Sequence, residues 1–419
     1  MGVLIVGGVL LGIVIGLAFM FMGNSGYMPW FSLKPVWEAP PEREDSGRGN
    51  GSFPMGETLI RSRVDGVAAF DLGTGAKRWE YLVPRRSDVC DVTEPDGSVA
   101  LVSFGVEGST EYGDLEPGKG CTGVIALDLT NGRELWRTTR VPASNGLDDA
   151  YGLTAVGGGL GVVLDGDDRP LMGIAVPGSH ALRAYDLRTG TARWQAAMPK
   201  GCVPGQVTVA PKQVLAAVHC DGEVKLAAFD PADGTARWTV PLDARRGVEA
   251  AAVGFMSADP LVVSVQDEDD SGVRAMLAFG PDGRLQSRID DVGDHGNIAR
   301  AIVSDGRLVT LALYRGKQST LERLVAFDLA TGRELWREDL GGGLEVDDLE
   351  VKGDRVMVVA TSRKSDDRFF VFDAATGDEE EDRGIRGGWG SATLYAYKDR
   401  FIAVRWGAGE PPVMAYERW

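Results

Sequence analysis

Five times the chain writes the same short phrase: an apolar run ending in an aromatic residue or Leu, an Asp, a turn closing on Gly, then a Trp. The copies are VAAFDLGTGAKRW (67–79), VIALDLTNGRELW (124–136), LRAYDLRTGTARW (182–194), LAAFDPADGTARW (226–238) and LVAFDLATGRELW (324–336). Weaker copies follow the same order of residue types: MLAFGPDGRLQ (276–286), VFDAATGDEE (371–380) and the terminal VMAYERW (413–419). The phrase falls at Asp71, Asp128, Asp186, Asp230, Gly280, Asp328, Asp373 and Glu417, an average spacing of about 49 residues. That spacing is suited to four strands per unit. Self-similarity at such a period fixes an architecture before any single residue is considered.

Each unit reads as strand, turn, strand. The apolar run before Asp is a strand, and D-x-x-T/D-G is a turn in which Gly supplies positive φ. The Trp strand carries a large apolar face to cover the seam to a neighbouring unit. Two more strands lie upstream, for example QVTVA and VLAAVHC within 206–220. One such sheet buries only one face alone, so the units stack radially. The expectation is an all-β, eight-bladed β-propeller, or a seven-bladed one if the Gly280 copy is an excursion. The last copy stops at Trp419 with no fourth strand, while KPVWEAP (34–40) resembles the fourth-strand segments KRWEYLVP and ELWRTTRVP. Residues 34–40 are therefore expected to complete the last blade, within a propeller spanning 34–419.

Residues 3–22 form an uncharged apolar run of twenty, which as a helix spans roughly 30 Å, one bilayer crossing. It ends without a small-residue cleavage site. A retained transmembrane anchor is expected over 1–25 and a linker over 26–33. No Lys or Arg precedes the run while Lys34 and Arg43 follow it, so charge alone does not set orientation. The net charge of −17 argues against nucleic acid, whose phosphates need a basic footprint. Four cysteines permit three pairings, and each sequential couple lies inside one repeat. Pairing Cys90 with Cys121 and Cys202 with Cys220 would staple neighbouring strands of one blade and would fit an oxidising compartment; buried free thiols are the other reading. Metal binding has no C-x-x-C spacing behind it.

The phrase A-x-D-x-x-T-G-x-x-x-W resembles the repeat of the quinoprotein alcohol dehydrogenase-like propellers, also called pyrroloquinoline-quinone-binding-like repeats. Some members of that family are quinone-dependent dehydrogenases. Others, including the propeller lipoprotein of the β-barrel assembly machinery, bind proteins without a cofactor. A further set are single-anchor membrane proteins of actinobacteria, which this chain's Arg-over-Lys bias resembles. The resemblance implies, for the enzymes, a disulfide of adjacent cysteines, a Trp platform and a Ca²⁺ with acidic and Asn ligands. No two cysteines are adjacent here, so no cofactor residue is carried over and quinone is not expected.

No G-x-S-x-G, G-x-x-x-x-G-K-[ST] or H-E-x-x-H occurs, so neither hydrolase nor nucleotide chemistry has support. Acidic clusters at 165–168, 267–272 and 365–367 lack the EF-hand pattern and read as solvated hairpin tips. The segments joining one unit to the next enter the innermost strands and so rim the funnel. They carry Arg85, Arg86, Asp148, Asp149, Lys200, Arg245, Arg246, Asp294, His295, Asn297, Asp347, Asp348 and an exposed Trp389. That rim is the expected binding surface, with no catalytic residue and no metal. The sequence-level expectation is a monomeric, extracytoplasmic, membrane-anchored interaction module. A quinone-dependent dehydrogenase and a sensor binding a small ligand in the funnel are the alternatives.

Overall fold

The computed structural model describes residues 12–20, 32–41, 51–84, 87–106, 120–140, 152–165, 181–199, 202–220, 223–242, 253–265, 275–316, 320–341, 343–362, 367–390, 392–406 and 411–418. Residues 12–20 are helical and exposed, and no described helix is long and apolar enough to cross a membrane. The rest of the run 3–22 lies outside the described residues. Every other described residue with regular structure is β. Five sheets follow in chain order, each of four strands paired in sequence, over 51–82, 88–139, 154–197, 202–241 and 253–290. A sixth, 292–339, adds a two-residue strand, Val292–Gly293, before its first long strand. A seventh sheet has eight strands: the four over 344–385, then Ser32–Glu38, then those over 413–418, 400–405 and 392–397 in reverse. The first strands of consecutive sheets adjoin at the centre, and the buried clusters lie between neighbouring sheets, the arrangement of a propeller.

The Asp of the phrase shapes its own turn. Asp186 Oδ1 accepts the Thr189 backbone N–H at 3.0 Å and the Thr189 hydroxyl at 2.9 Å, while Oδ2 accepts from Arg193 at 2.7 Å. Asp71 and Asp328 hold Thr74 and Thr331 in the same way. These bonds, Arg193 foremost, hold the Asp186 carboxyl down at about 2. The Gly backbone N–H then closes the turn on the Asp carbonyl, at 2.8 Å for Gly132 on Asp128. The weak Gly280 copy also makes a turn within its sheet, where Gly283 N–H reaches the Gly280 carbonyl at 3.0 Å.

That Gly is required twice over. At Gly190 φ is +71°, and a Cβ there would lie 2.6 Å from Cγ of Trp136 in the preceding sheet. The same indole-on-glycine contact joins Trp79 to Gly132, Trp194 to Gly234, Trp238 to Gly283 and Trp336 to Gly377. Four of these indoles also donate into the partner turn, each to the carbonyl of the residue after its Asp or equivalent position. Trp79 reaches Leu129 at 3.0 Å, Trp136 Leu187 at 2.8 Å, Trp194 Pro231 at 2.9 Å and Trp336 Ala374 at 3.0 Å. Truncating such a Trp costs about 3–5 kcal/mol by lost burial and contacts. The fifth sheet lacks the indole: Ser287 stands there, and its hydroxyl donates to the equivalent Leu329 carbonyl.

Ser32–Glu38 pairs antiparallel with Val413–Arg418, setting Trp37 opposite Ala415 as Trp79 stands opposite Ala69. Trp37 then packs on Gly75 of the first sheet, where a Cβ would lie 2.4 Å from its ring. Its Nε1 is buried without the hydrogen bond that four of its counterparts make. The start of the same strand runs parallel to Glu379–Ile385 through Ser32↔Gly384 and Leu33↔Ile385, with Leu33 fully buried. Thus one N-terminal strand holds the seventh sheet together and seats its last half against the first sheet.

Both sequential disulfides are present. Cys202 and Cys220 face each other in paired neighbouring strands, Cα atoms 4.1 Å apart. Cys90–Cys121 departs from the neighbouring-strand expectation and links the first and third strands of the second sheet. The intervening strand bulges between Phe104 and Val106, and Gly105 has no side chain to hold the two Cα atoms beyond 6.2 Å.

The seam gives a direct test. Gly56 also has positive φ (+59°) but open space around a new Cβ, so Gly56→Ala carries the backbone strain alone. Gly190→Ala adds the clash with Trp136 and is expected to lose about 1–3 kcal/mol more in urea unfolding. Equal losses in the two variants would show that the indole does not set the spacing between sheets.

Candidate functional site

The central wall is made by the first strand of each sheet, and a shared irregularity shapes it. β-Bulges interrupt five of these strands, between Val89 and Asp91, Pro204 and Gln206, Phe255 and Ser257, Ile298 and Arg300, and Val346 and Asp348. An extra residue in one strand re-aims the side chain that follows it. In all five cases that residue is polar: Asp91, Gln206, Ser257, Arg300 or Asp348.

Two of them do equivalent work. Asp91 accepts the Gly152 backbone N–H of the next sheet at 3.2 Å, and Asp348 accepts that of Leu394, in the other half of the eight-stranded sheet, at 2.6 Å. Burial raises the pKa of both carboxyls despite these bonds. Arg300 pairs with Asp348 across the seam between the sixth and seventh sheets. Beside them, burial first and the negative charges of Asp367 and Glu345 second push Asp347 up to about 6. Burial pushes Glu350 up to about 7. Tyr395 is raised to about 12, by burial first and then by the fields of Glu350, Asp348 and Glu94, while its hydroxyl donates to the Ser52 carbonyl. The charged residues of the described first strands are Asp88, Asp91, Glu345, Asp347, Asp348 and Glu350 against only Arg300 and Lys352. The wall is acidic, concentrated on the second and seventh sheets.

Two adjoining cavities open on this wall. The larger, about 510 Å³, is lined by residues from the second to fifth sheets, among them Asp91, Glu94, Thr154, Gln206, Phe255 and Ser257. The smaller, about 360 Å³, shares Gln206 with it and lies between the fifth and sixth sheets, against Met256, Asp291 and Arg300. Volumes of this size suit a small molecule or a few side chains.

Of the expected rim residues, His295 and Asn297 come together in the hairpin that adds Val292–Gly293 to the sixth sheet. Asn297 is exposed, but His295 turns inward, edge-on to Phe327 with ring centres 5.1 Å apart. Trp389 corrects the expectation outright: it is 0% exposed. Its indole packs with Tyr416, its backbone N–H is held by Asp367 at 2.6 Å, and Arg405 donates to its carbonyl. The flanking glycines are therefore a tight turn around a core residue. Asp347 and Asp348 lie inside the strand Leu344–Lys352 and not in a connecting loop. Arg85, Arg86, Lys200, Arg245, Arg246, Asp148 and Asp149 fall outside the described residues, as do most of the three acidic loops. Of those loops, Asp165 pairs with Arg183, and Asp367 serves Trp389.

Features that the family resemblance ties to quinone binding do not assemble among the described residues. Both disulfides join separate strands within one sheet. The phrase tryptophans are spent on seams, and Trp406 faces Arg61. No described group of His, Cys, Asp and Glu has the geometry to hold a metal ion. Among the described residues, neither the donor set nor the aromatic surface fits that cofactor.

Raised carboxyls give the wall a pH signature. Glu350 titrates near 7 in the folded chain against about 4.5 when exposed, so its penalty is full above pH 7 and is relieved as pH falls toward 4.5. Wild-type stability is expected to rise over that window by roughly 1–3 kcal/mol more than that of Glu350→Gln, read by urea unfolding at several pH values. Parallel pH profiles would remove Glu350 from the account.

Among solved structures the chain is similar to the crystal structure of BamB from Moraxella catarrhalis, at 18% identity over 92% of this chain and 97% of that one, with a TM-score of 0.49. It is also similar to the quinohemoprotein alcohol dehydrogenase from Comamonas testosteroni, at 13% identity over 94% of this chain and 77% of that one, TM-score 0.51. A third likeness is the Dos1 propeller, at 12% identity over 94% and 96%, TM-score 0.55. At these identities the last two show the fold alone. No curated protein sequence matches the chain. The family model described as outer membrane protein assembly factor BamB matches residues 34–201, 118–270 and 269–380, and the chain belongs to that family of pyrroloquinoline-quinone-like repeat propellers.

Proposed function

We propose that this chain is a membrane-anchored, extracytoplasmic, non-catalytic β-propeller that acts as a protein-interaction scaffold. The observation that carries the reading is the match of the BamB family model across most of the repeat region. We read the eight-stranded sheet as two blades sharing the short parallel contact of Ser32–Glu38 with Glu379–Ile385, which makes eight blades in all. The propeller is monomeric in this reading, with residues 34–40 closing the last blade and 1–25 and 26–33 acting as anchor and linker. The uncharged run 3–22 supports the anchor, and the two disulfides favour an oxidising compartment. A cofactor-free wall is favoured by the engagement of the phrase tryptophans in seams and by cysteines that are not adjacent.

Crosslinking in the native membrane followed by affinity recovery of the full chain is expected to return a discrete protein partner. Addition of pyrroloquinoline quinone and Ca²⁺ to the detergent-solubilised chain is expected to give no absorbance change and no dye reduction. Quinone-dependent dye reduction would overturn the scaffold reading in favour of a dehydrogenase.

A further inference from the structure

The larger wall cavity has two unlike sides. Asp91 and Glu94 supply carboxylates from the second sheet and the segment after its first strand, and no Lys or Arg is among the described lining residues. Facing them are Val156, Val209, Phe255 and Met256 from the third to fifth sheets. A purely acidic patch is commonly just a solvated surface, but here a buried polar group points the same way. Thr154 lines the cavity and is 4% exposed, yet its hydroxyl has no hydrogen-bond partner. A buried hydroxyl left unpaired costs about 1–3 kcal/mol unless a bound group supplies the missing bond. The Gln206 amide and the Ser257 hydroxyl stand on the same lining.

From this arrangement we propose that the cavity bounded by Asp91, Glu94, Thr154 and Phe255 receives a basic side chain, carried by an extended segment of the partner protein. The chemistry is complementary group by group. An alkyl stem lies along Val156, Val209 and Met256, as Lys and Arg stems do on apolar surfaces. The cationic head meets Asp91 and Glu94 in a partly desolvated site, where a charge-assisted bond exceeds a neutral one. The acidic belt continues round the wall, since Glu94 acts on Tyr395 together with Asp348 and Glu350. Successive basic residues of one segment would therefore meet acidic groups along the channel. A phosphate or a carboxylate meets the wrong sign of charge at Asp91 and Glu94. The proposal deepens the scaffold reading by giving the partner a chemical class.

The test uses the full chain in detergent and a fluorescein-labelled hexalysine peptide, followed by anisotropy. The wild type is expected to bind it and to ignore the same peptide with acetylated lysines. Asp91→Asn with Glu94→Gln is expected to weaken binding at least tenfold. Glu379→Gln with Glu380→Gln, which removes exposed charge from an outer strand, is expected to leave it unchanged. Should Asp91→Asn fail to fold because that carboxylate also holds Gly152, Glu94→Gln with Thr154→Val must still lower affinity several-fold. Equal binding by the acetylated peptide, or equal loss in the outer-strand variant, would overturn the proposal. If hexalysine does not bind while crosslinking still recovers a partner, the scaffold reading stands and this site falls.

Discussion

The fold rests on an indole laid against a glycine that has no Cβ to push it away. Four of the five strong phrases supply both halves of that contact, the Trp for the seam on one side and the Gly for the seam on the other; in the fifth, Gly332 meets Ser287 in place of an indole. The turn must adopt positive φ and also leave room for a ring, so one residue type satisfies two separate demands. Four indoles add a hydrogen bond to the neighbouring turn, which fixes height as well as distance. Because a single sheet leaves one face uncovered, these contacts are what turn independent meanders into one body. Ser287 shows which part is dispensable: its hydroxyl keeps the carbonyl bond when the ring is gone.

Much of this was legible in the sequence because it repeats. Asp, Gly and Trp recur at fixed offsets, and offsets translate directly into strand, turn and seam. The cysteine pairs were legible for the same reason, each couple falling inside one repeat. The crossing of Cys90 over a whole strand was not, because it depends on a bulge at Gly105 that leaves no periodic trace. Trp389 misled for a physical reason too. Flanking glycines suggest an exposed loop, whereas here they let the chain turn tightly enough to bury the indole beside Tyr416.

The acidic wall was the least visible feature. Two of its residues, Asp91 and Asp348, sit just past β-bulges, where the strict alternation of inward and outward side chains breaks. Asp91 and Asp348 come from strands with little sequence likeness, DVCDV and LEVDDLEVK, yet each accepts a backbone N–H from a neighbouring first strand or its approach, Gly152 of the third sheet and Leu394 in the other half of the seventh. A signal was present in each: several carboxylates within one innermost strand, two in DVCDV and four in LEVDDLEVK. The scaffold and the site thus follow different rules, the first written in repeated residues and the second in departures from the repeat. One device still links them, because the buried carboxylates that colour the wall also tie adjacent sheets together.

Closure of the ring by the N-terminal strand is the claim on which the architecture turns. Hydrogen exchange on the full chain with Trp37→Ala measures it most directly. Loss of the Trp37–Gly75 contact is expected to speed exchange in Val413–Arg418, in the Asp71 turn and in the strands over 51–71, on both sides of one seam. Faster exchange confined to residues 36–38, with Val413–Arg418 and the Asp71 turn protected as in the wild type, would contradict the account.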